Sequence, residues 1–182
     1  MTPDQFAAIT STLTYQPRGV FFSELYLFAC ACLDANVTAI VESGVHHGVS
    51  TRVLRAVFPN RVTSFEWNAT VVPPDLRTVV IVADGQRAVP EWIVQHPGDR
   101  VGVLLDGPKG PRGTVVREQC LAYPHVRVVG QHDSPMGSGE TMHSHAPPHR
   151  SVAAELDRNV PADIMAWSNR ANRPGLGVWM NP

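Results

Sequence analysis

Short apolar runs alternate with helical stretches along this chain, and the end of each of the first five runs carries an acid. The runs are "VTAIVES" (37–43), "RVTSFEW" (61–67), "RTVVIVAD" (77–84), "RVGVLLDG" (100–107) and "HVRVVGQHD" (125–133). Near-continuous β-branched and apolar runs of this length suit parallel strands covered on both faces. Helical spacing fills the gaps. "FFSELYLFACACLDAN" reads as a helix with Ser23 as N-cap and Asn36 near its end. "VSTRVLRAVF" is stopped by Pro59, "AVPEWIVQH" is a short helix, "GTVVREQCLAY" is closed by Pro124, and "RSVAAELDRN" follows. Two last runs, "ADIMAWSN" (162–169) and "GLGVWMN" (175–181), share a link too short for a parallel crossover, so they are expected to pair antiparallel. The stretch "NATVVPPDLR" leaves little room for a helix between strands two and three. The expectation is an α/β, seven-stranded, mostly parallel sheet with helices on both faces and a C-terminal antiparallel strand, in one domain over 1–182.

A chain of 182 residues has room for a real core. Its net charge of −1 offers no basic footprint, so no nucleic acid partner is expected. No run of apolar residues is long enough to span a bilayer, so no membrane partner is expected. The first residues, "MTPDQFAAITSTLTYQPRG", do not read as a secretory signal. Cys30 and Cys32 lie in an apolar run and Cys120 is alone, which points to reduced, buried thiols and a cytoplasmic location.

Open parallel sheets bind ligands at the carboxyl ends of their strands. The ends here are Glu42-Ser43-Gly44, Glu66, Asp84-Gly85, Asp106-Gly107-Pro108-Lys109 and His132-Asp133. Gly44 and Gly48 permit backbone conformations and approaches that a Cβ would forbid. Ser50 and Thr51 open the next helix, where free N–H groups point outward. Glu66 lies 22 residues beyond Gly44, at the tip of the neighbouring strand, where it can accept hydrogen bonds from both ribose hydroxyls. The pattern is E-x-G-x-x-x-G-x-S-T rather than G-x-G-x-x-G, so a nucleoside cofactor without a pyrophosphate suits it better.

With these residues the chain resembles the Rossmann-like class I S-adenosylmethionine-dependent methyltransferases. "ESGVHHGVST" is similar to their first motif, "SFEW" to the segment with the ribose-binding acid, and "VADGQ" to the segment that contacts adenine. The resemblance implies a cofactor site of Glu42, Gly44, His46, Gly48, Ser50, Thr51, Glu66, Trp67, Asp84, Gly85, Gln86 and Asp106. Glu66 would take the ribose, Asp84 and Gln86 would lie near the adenine, and Gly44 would admit the methionine part.

"LLDGPKG" further resembles the Asp-x-x-Lys of metal-dependent O-methyltransferases related to catechol O-methyltransferase. There the aspartate binds a divalent cation and the lysine takes a proton from the acceptor hydroxyl, which implies catalytic roles for Asp106 and Lys109. In those enzymes Asp-Asn follows strand five, and here His132-Asp133 stands in that place. "DGPKG" followed by "HD" is also similar to sugar-acting O-methyltransferases of the glucuronoxylan type. The implied metal ligands are Asp106, His132 and Asp133, a set that suits Mn, Co, Zn or Fe as well as Mg. A cation on the acceptor oxygen lowers its pKa, and a lysine beside a cation in a dry pocket can be lowered enough to act as a base. The expected acceptor is a hydroxyl of a small molecule or saccharide, and a homo-oligomer is compatible with the sequence.

The paired His46 and His47 occupy variable positions of the cofactor motif, so contact with cofactor or substrate is the expectation there, not a metal. His143, His145 and His149 lie in a Gly-, Ser- and Pro-rich stretch that reads as a lid. The four tryptophans read as core or pocket wall. Two alternatives stay beside the main expectation. One is nitrogen or carbon methylation, or another use of S-adenosylmethionine, on the same scaffold; the other is a non-catalytic binding or assembly protein.

Overall fold

The computed structural model describes residues 1–16, 19–134, 150–164 and 175–181. Six strands form one sheet: β1 (Ala39–Ser43), β2 (Val62–Glu66), β3 (Val80–Val82), β4 (Val101–Leu105), β5 (Val126–Ser134) and β6 (Gly175–Met180). Their order is β3-β2-β1-β4-β5-β6, all parallel except β6, which runs antiparallel to β5. The helices are α1 (Pro3–Thr10), α2 (Phe22–Asp34), α3 (Val49–Val57), α4 (Gly85–Gln95), α5 (Pro111–Leu121) and α6 (Arg150–Leu156).

β1 and β4 are buried at every position, as central parallel strands must be. Alternate residues feed two cores. Ile40, Leu104 and Val128 face a core built with α2 and α3, which includes the fully buried Phe28. Val41, Val103 and Leu105 face the other, against Val89 and Ile93 of α4 and Val116 and Cys120 of α5. A buried Phe or Leu of this kind contributes about 1.5–3 kcal/mol over its exposed state. α2 is apolar on nearly every side because it packs against α3, α6, β5 and β6 together.

Several expectations are corrected. Six strands, not seven, are present among the described residues. Ala162–Ile164, the start of the expected sixth strand, is helical, and 165–169 lie outside the described residues. Short apolar runs fit strand and helix alike, and Pro161 just ahead is a residue tolerated at a helix start. The antiparallel pair is therefore β5 with β6, not two late strands with each other. α2 begins after Phe21, not at Ser23, because Glu24 reaches back to accept the Phe21 N–H at 2.9 Å. Ser23 is instead held by Asp157, which accepts from its N–H at 3.0 Å and its hydroxyl at 2.6 Å. β3 is three residues long, shorter than the apolar run that contains it. Between β2 and β3 a single 3-10 turn, Pro74–Leu76, replaces a helix, as the prolines imply. Cys32 and Cys120 are buried free thiols, while Cys30 is only half-buried. Of the tryptophans, expected as core or pocket wall, Trp67 is 73% exposed and lines the cavity described below, Trp92 packs partly buried against the second core, and Trp179 lies under the Arg117 guanidinium.

Candidate functional site

The strand order reverses between β1 and β4. From β1 the chain moves outward to β2 and β3, then returns to β4 on the other side. Such a switch point opens a crevice at the carboxyl ends of the strands. Here the crevice is a cavity of about 1010 Å³, at the upper end for small-molecule sites. Its floor is backbone. Ser43 O accepts from the N–H groups of Asp106 and Gly107 at 2.8 and 2.7 Å, which draws the two strand ends together. Gly44 follows with φ +91°, and a Cβ on it would stand 2.8 Å from Gly107 Cα. The glycine is required twice, by its dihedral and by the approach. Gly85 is constrained in another way, since a Cβ there would collide with Ser43 Oγ.

The two glutamates of the motif do different work. Glu66, at the tip of β2, is buried and lines the cavity. Its Oε2 accepts from the backbone N–H groups of Val45 (2.9 Å) and His46 (3.0 Å), and its Oε1 from Asn68 N–H (3.1 Å). One carboxylate thus fixes the turn after β1 and the turn after β2. Glu42 lies beneath the floor, fully buried. Its Oε2 accepts from the Thr51 hydroxyl at 2.6 Å and the Ser64 hydroxyl at 2.7 Å. Burial pushes the Glu42 carboxyl above its ordinary pKa, and hydrogen bonds from Ser50, Thr51 and Ser64 oppose that only in part. Glu42, Gly48, Ser50 and Thr51 do not line the cavity. They join the turn to α3, with Gly48 as the left-handed N-cap at φ +75°.

His46, Trp67, Asp84, Gly85 and Gln86 do line it. Asp84 caps α4 by accepting from Gln86 N–H at 3.0 Å, which pins the helix start against the floor. His46 takes φ +45° and packs edge-on against His47 at 4.0 Å between centroids.

At one end of the cavity Asp106 and Lys109 line the wall and join a compact charged group with His132 and Asp133, which do not line it. Lys109 Nζ lies 2.5 Å from Asp106 Oδ1, 2.6 Å from Asp133 Oδ2 and 3.3 Å from His132 Nδ1. His132 Nδ1 is 2.7 Å from the same Asp106 oxygen. Asp133 enters the group through a bulge. The β5–β6 register shifts between Gln131 and Ser134, and Asp133 adopts φ +58°. Bulges re-aim side chains in this way beside functional sites.

The charges of the group stabilise one another. Burial raises the Asp106 carboxyl, but His132 and Lys109 outweigh it and hold the pKa at about 2. Burial lowers the His132 imidazole, but Glu24 and Asp106 outweigh it and raise the pKa to about 10. Burial also lowers Lys109, and Asp106 and Asp133 outweigh it, so the ammonium is held above its ordinary range. A lysine lowered toward neutrality was expected; in this arrangement two carboxylates keep it charged. Asp106, His132 and Asp133 bring ligand atoms within 4.8 Å of one another, the one such group among the described residues. The expected lid histidines, His143, His145 and His149, lie outside the described residues.

No family model matches the sequence, and no curated protein does. Solved structures do match over almost the whole chain. A Klebsiella pneumoniae protein provisionally assigned as an O-methyltransferase is 15% identical, with 99% of this chain and 90% of that chain covered at a TM-score of 0.55. A Bacillus cereus O-methyltransferase in complex with SAH (S-adenosylhomocysteine) is 13% identical, covering 98% and 90% at 0.53. TomG of Streptomyces achromogenes, an O-methyltransferase involved in tomaymycin synthesis and solved with SAM (S-adenosylmethionine), is 14% identical, covering 98% and 88% at 0.53. The fold is that of the class I O-methyltransferases. At these identities the likeness concerns the fold, and it accords with the sheet order, the antiparallel last strand and the crevice at the switch point.

Several residues of the site were not read from the sequence. Ser43, Asn68, Val71 and Arg112 line the cavity, and Glu24 stands behind His132. Ser43 was signalled by its place at the end of β1. Glu24 carried no local signal, because it reaches the group only through the packing of α2 against β5 and β6.

Proposed function

We propose that this chain, as one domain over 1–182, is an S-adenosylmethionine-dependent methyltransferase. It acts on a hydroxyl of a small molecule or saccharide with the help of a divalent cation such as Mg, Mn or Co. The observation that carries this is the union, in one cavity, of a glycine floor at Gly44, an acid at the tip of β2 and a lysine set among carboxylates.

The residues fit both groups. A nucleoside and amino acid need close backbone approach, and Gly44 and Gly85 line the cavity without presenting a side chain to it. A cation needs clustered oxygen and nitrogen donors, and Asp106, His132 and Asp133 supply two carboxylates and an imidazole. When bound, S-adenosylmethionine supplies a sulfonium methyl group and a cation lowers the pKa of a hydroxyl on it.

The chain's own residues do the rest. Glu66 fixes the turn beside the ribose place and keeps its carboxylate in the cavity wall. Asp84 and Gln86 hold the start of α4 against the adenine place, and His46 and Trp67 complete the wall. Lys109 takes the acceptor proton at Nζ. It can do so once Asp106 and Asp133, which now hold it charged, are engaged elsewhere and its own extra proton has passed to solvent. Orientation of the two bound partners then supplies much of the rate. Three free thiols accord with a cytoplasmic setting, and no helix among the described residues is long and apolar enough to cross a membrane.

The test is methyl transfer from S-adenosylmethionine to catechol and uronic-acid acceptors, with and without chelator. Product formation that chelation abolishes and Mn²⁺ restores supports the proposal; cofactor binding with chelator-insensitive turnover contradicts the cation's role. One observation favours a second reading on the same scaffold. Because Lys109 is held charged, a nitrogen or carbon acceptor would need no base from it, and Lys109→Ala would then leave turnover intact.

A further inference from the structure

Glu24 is a fully buried acid that the proposed reaction does not use. It sits on the first turn of α2, 108 residues before His132 in the chain. Two backbone amides from separate elements clamp its carboxylate. Phe21 N–H donates to Oε2 at 2.9 Å, and Leu176 N–H on β6 donates to Oε1 at 3.1 Å. Oε2 also lies 3.4 Å from His132 Nε2, an ion-pair contact without hydrogen-bond geometry, and that buried nitrogen has no hydrogen-bond partner among the described residues. The opposite ring nitrogen, Nδ1, lies 2.7 Å from Asp106 and 3.7 Å from Asp133. His132 is therefore a buried imidazole strung between carboxylates, with one nitrogen toward the charged group of the cavity and the other toward a clamped acid.

A helix cap alone does not require this. The Phe21 N–H occupies one hydrogen bond of a carboxylate, and glutamine serves that role as well as glutamate does. What glutamate adds is a negative charge at fixed position behind the ring. Histidines that ligate metals donate their second N–H to such a carboxylate, which sets the ring's orientation and raises its basicity.

We propose that Glu24 is a positioning residue for a divalent cation: it holds His132 through Nε2 and so aims Nδ1 between Asp106 and Asp133. This rests on the cation-assisted reading above. The clamp comes from α2 and β6, so the ring's orientation is tied to the docking of the final strand on β5.

The test is Mn²⁺ calorimetry on the full chain, with S-adenosylhomocysteine affinity measured beside it. Glu24→Gln should weaken Mn²⁺ binding about 10- to 100-fold. In a His132→Ala background the same change should cost less than about twofold, because Glu24 acts through the ring. Unchanged Mn²⁺ affinity in Glu24→Gln overturns the inference, as does an equal loss in both backgrounds. Wild-type protein that binds S-adenosylhomocysteine but no Mn²⁺ overturns the cation reading and the inference together. Should Glu24→Gln fail to fold, ¹⁵N histidine spectra of the wild-type Zn²⁺ complex decide. A proton on Nε2 of His132 supports the inference, and ligation through Nε2 overturns it.

Discussion

Lys109 Nζ lies 2.5 Å from Asp106 Oδ1, at the head of α5 and the end of β4. The pair closes one end of the switch-point cavity, and the same aspartate oxygen faces His132. Lys109→Ala should lower kcat by about 10²- to 10⁴-fold, the span of a lost general base. Affinity for S-adenosylhomocysteine should stay within about threefold, since Lys109 holds none of the turn after β1. Steady-state kinetics with calorimetry check this; unchanged kcat would move the protein to the nitrogen or carbon reading.

Gly44 tests the floor. Alanine there must adopt φ +91° and bring a methyl within 2.8 Å of Gly107 Cα. Strain of this kind costs about 1–3 kcal/mol. Gly44→Ala should lower stability in urea by at least that much and abolish cofactor binding. A variant as stable as wild type would show that the strand ends can part.

Glu66 is expected to fail in two measurements at once. Glu66→Ala leaves the Val45, His46 and Asn68 amides without their acceptor. Hydrogen bonds to a charged group contribute about 1.5–3 kcal/mol each, so stability should fall by at least about 1.5 kcal/mol. Cofactor affinity should fall at least about tenfold with it. Loss of affinity at unchanged stability would limit Glu66 to ligand contact.

Glu42 gives the pH dependence. Its folded-state pKa is raised above the ordinary 4.5 by burial. The folded state then holds the proton more tightly than the unfolded chain. The contribution to stability is full below pH 4.5 and is lost as pH rises through the folded-state value. Glu42→Gln removes that titration. The stability of the variant relative to wild type should therefore increase from pH 4.5 to pH 7, read by urea denaturation at each pH. A constant difference would mean that Glu42 titrates alike in both states.

The parts of this fold visible in the sequence were those written in local patterns. Buried parallel strands show as apolar runs, and Gly44, Glu66, Asp84 and Asp106 lie where those runs end. Other features depend on partners distant in the chain. Glu24 carries no local mark, and its place behind His132 shows only once α2 is seen packed against β5 and β6. Asp133 reads as a polar strand end, and only the mismatch between β5 and β6 shows why it takes a left-handed backbone. Glu42, Ser50 and Thr51 share a motif with the cavity residues but sit beneath its floor, a distinction that needs the third dimension. The expected strand at 162–169 shows the opposite fault, since a short apolar run carries no mark that separates strand from helix.

In the proposed function the turn after β1 and the acid of β2 hold the methyl donor. A crystal structure with S-adenosylhomocysteine and Mn²⁺ tests it most directly. Ligand density is expected against Gly44 and within hydrogen-bonding distance of Glu66, with the cation among Asp106, His132 and Asp133. Ligand bound elsewhere, with the turn at Gly44 uncovered, would contradict it.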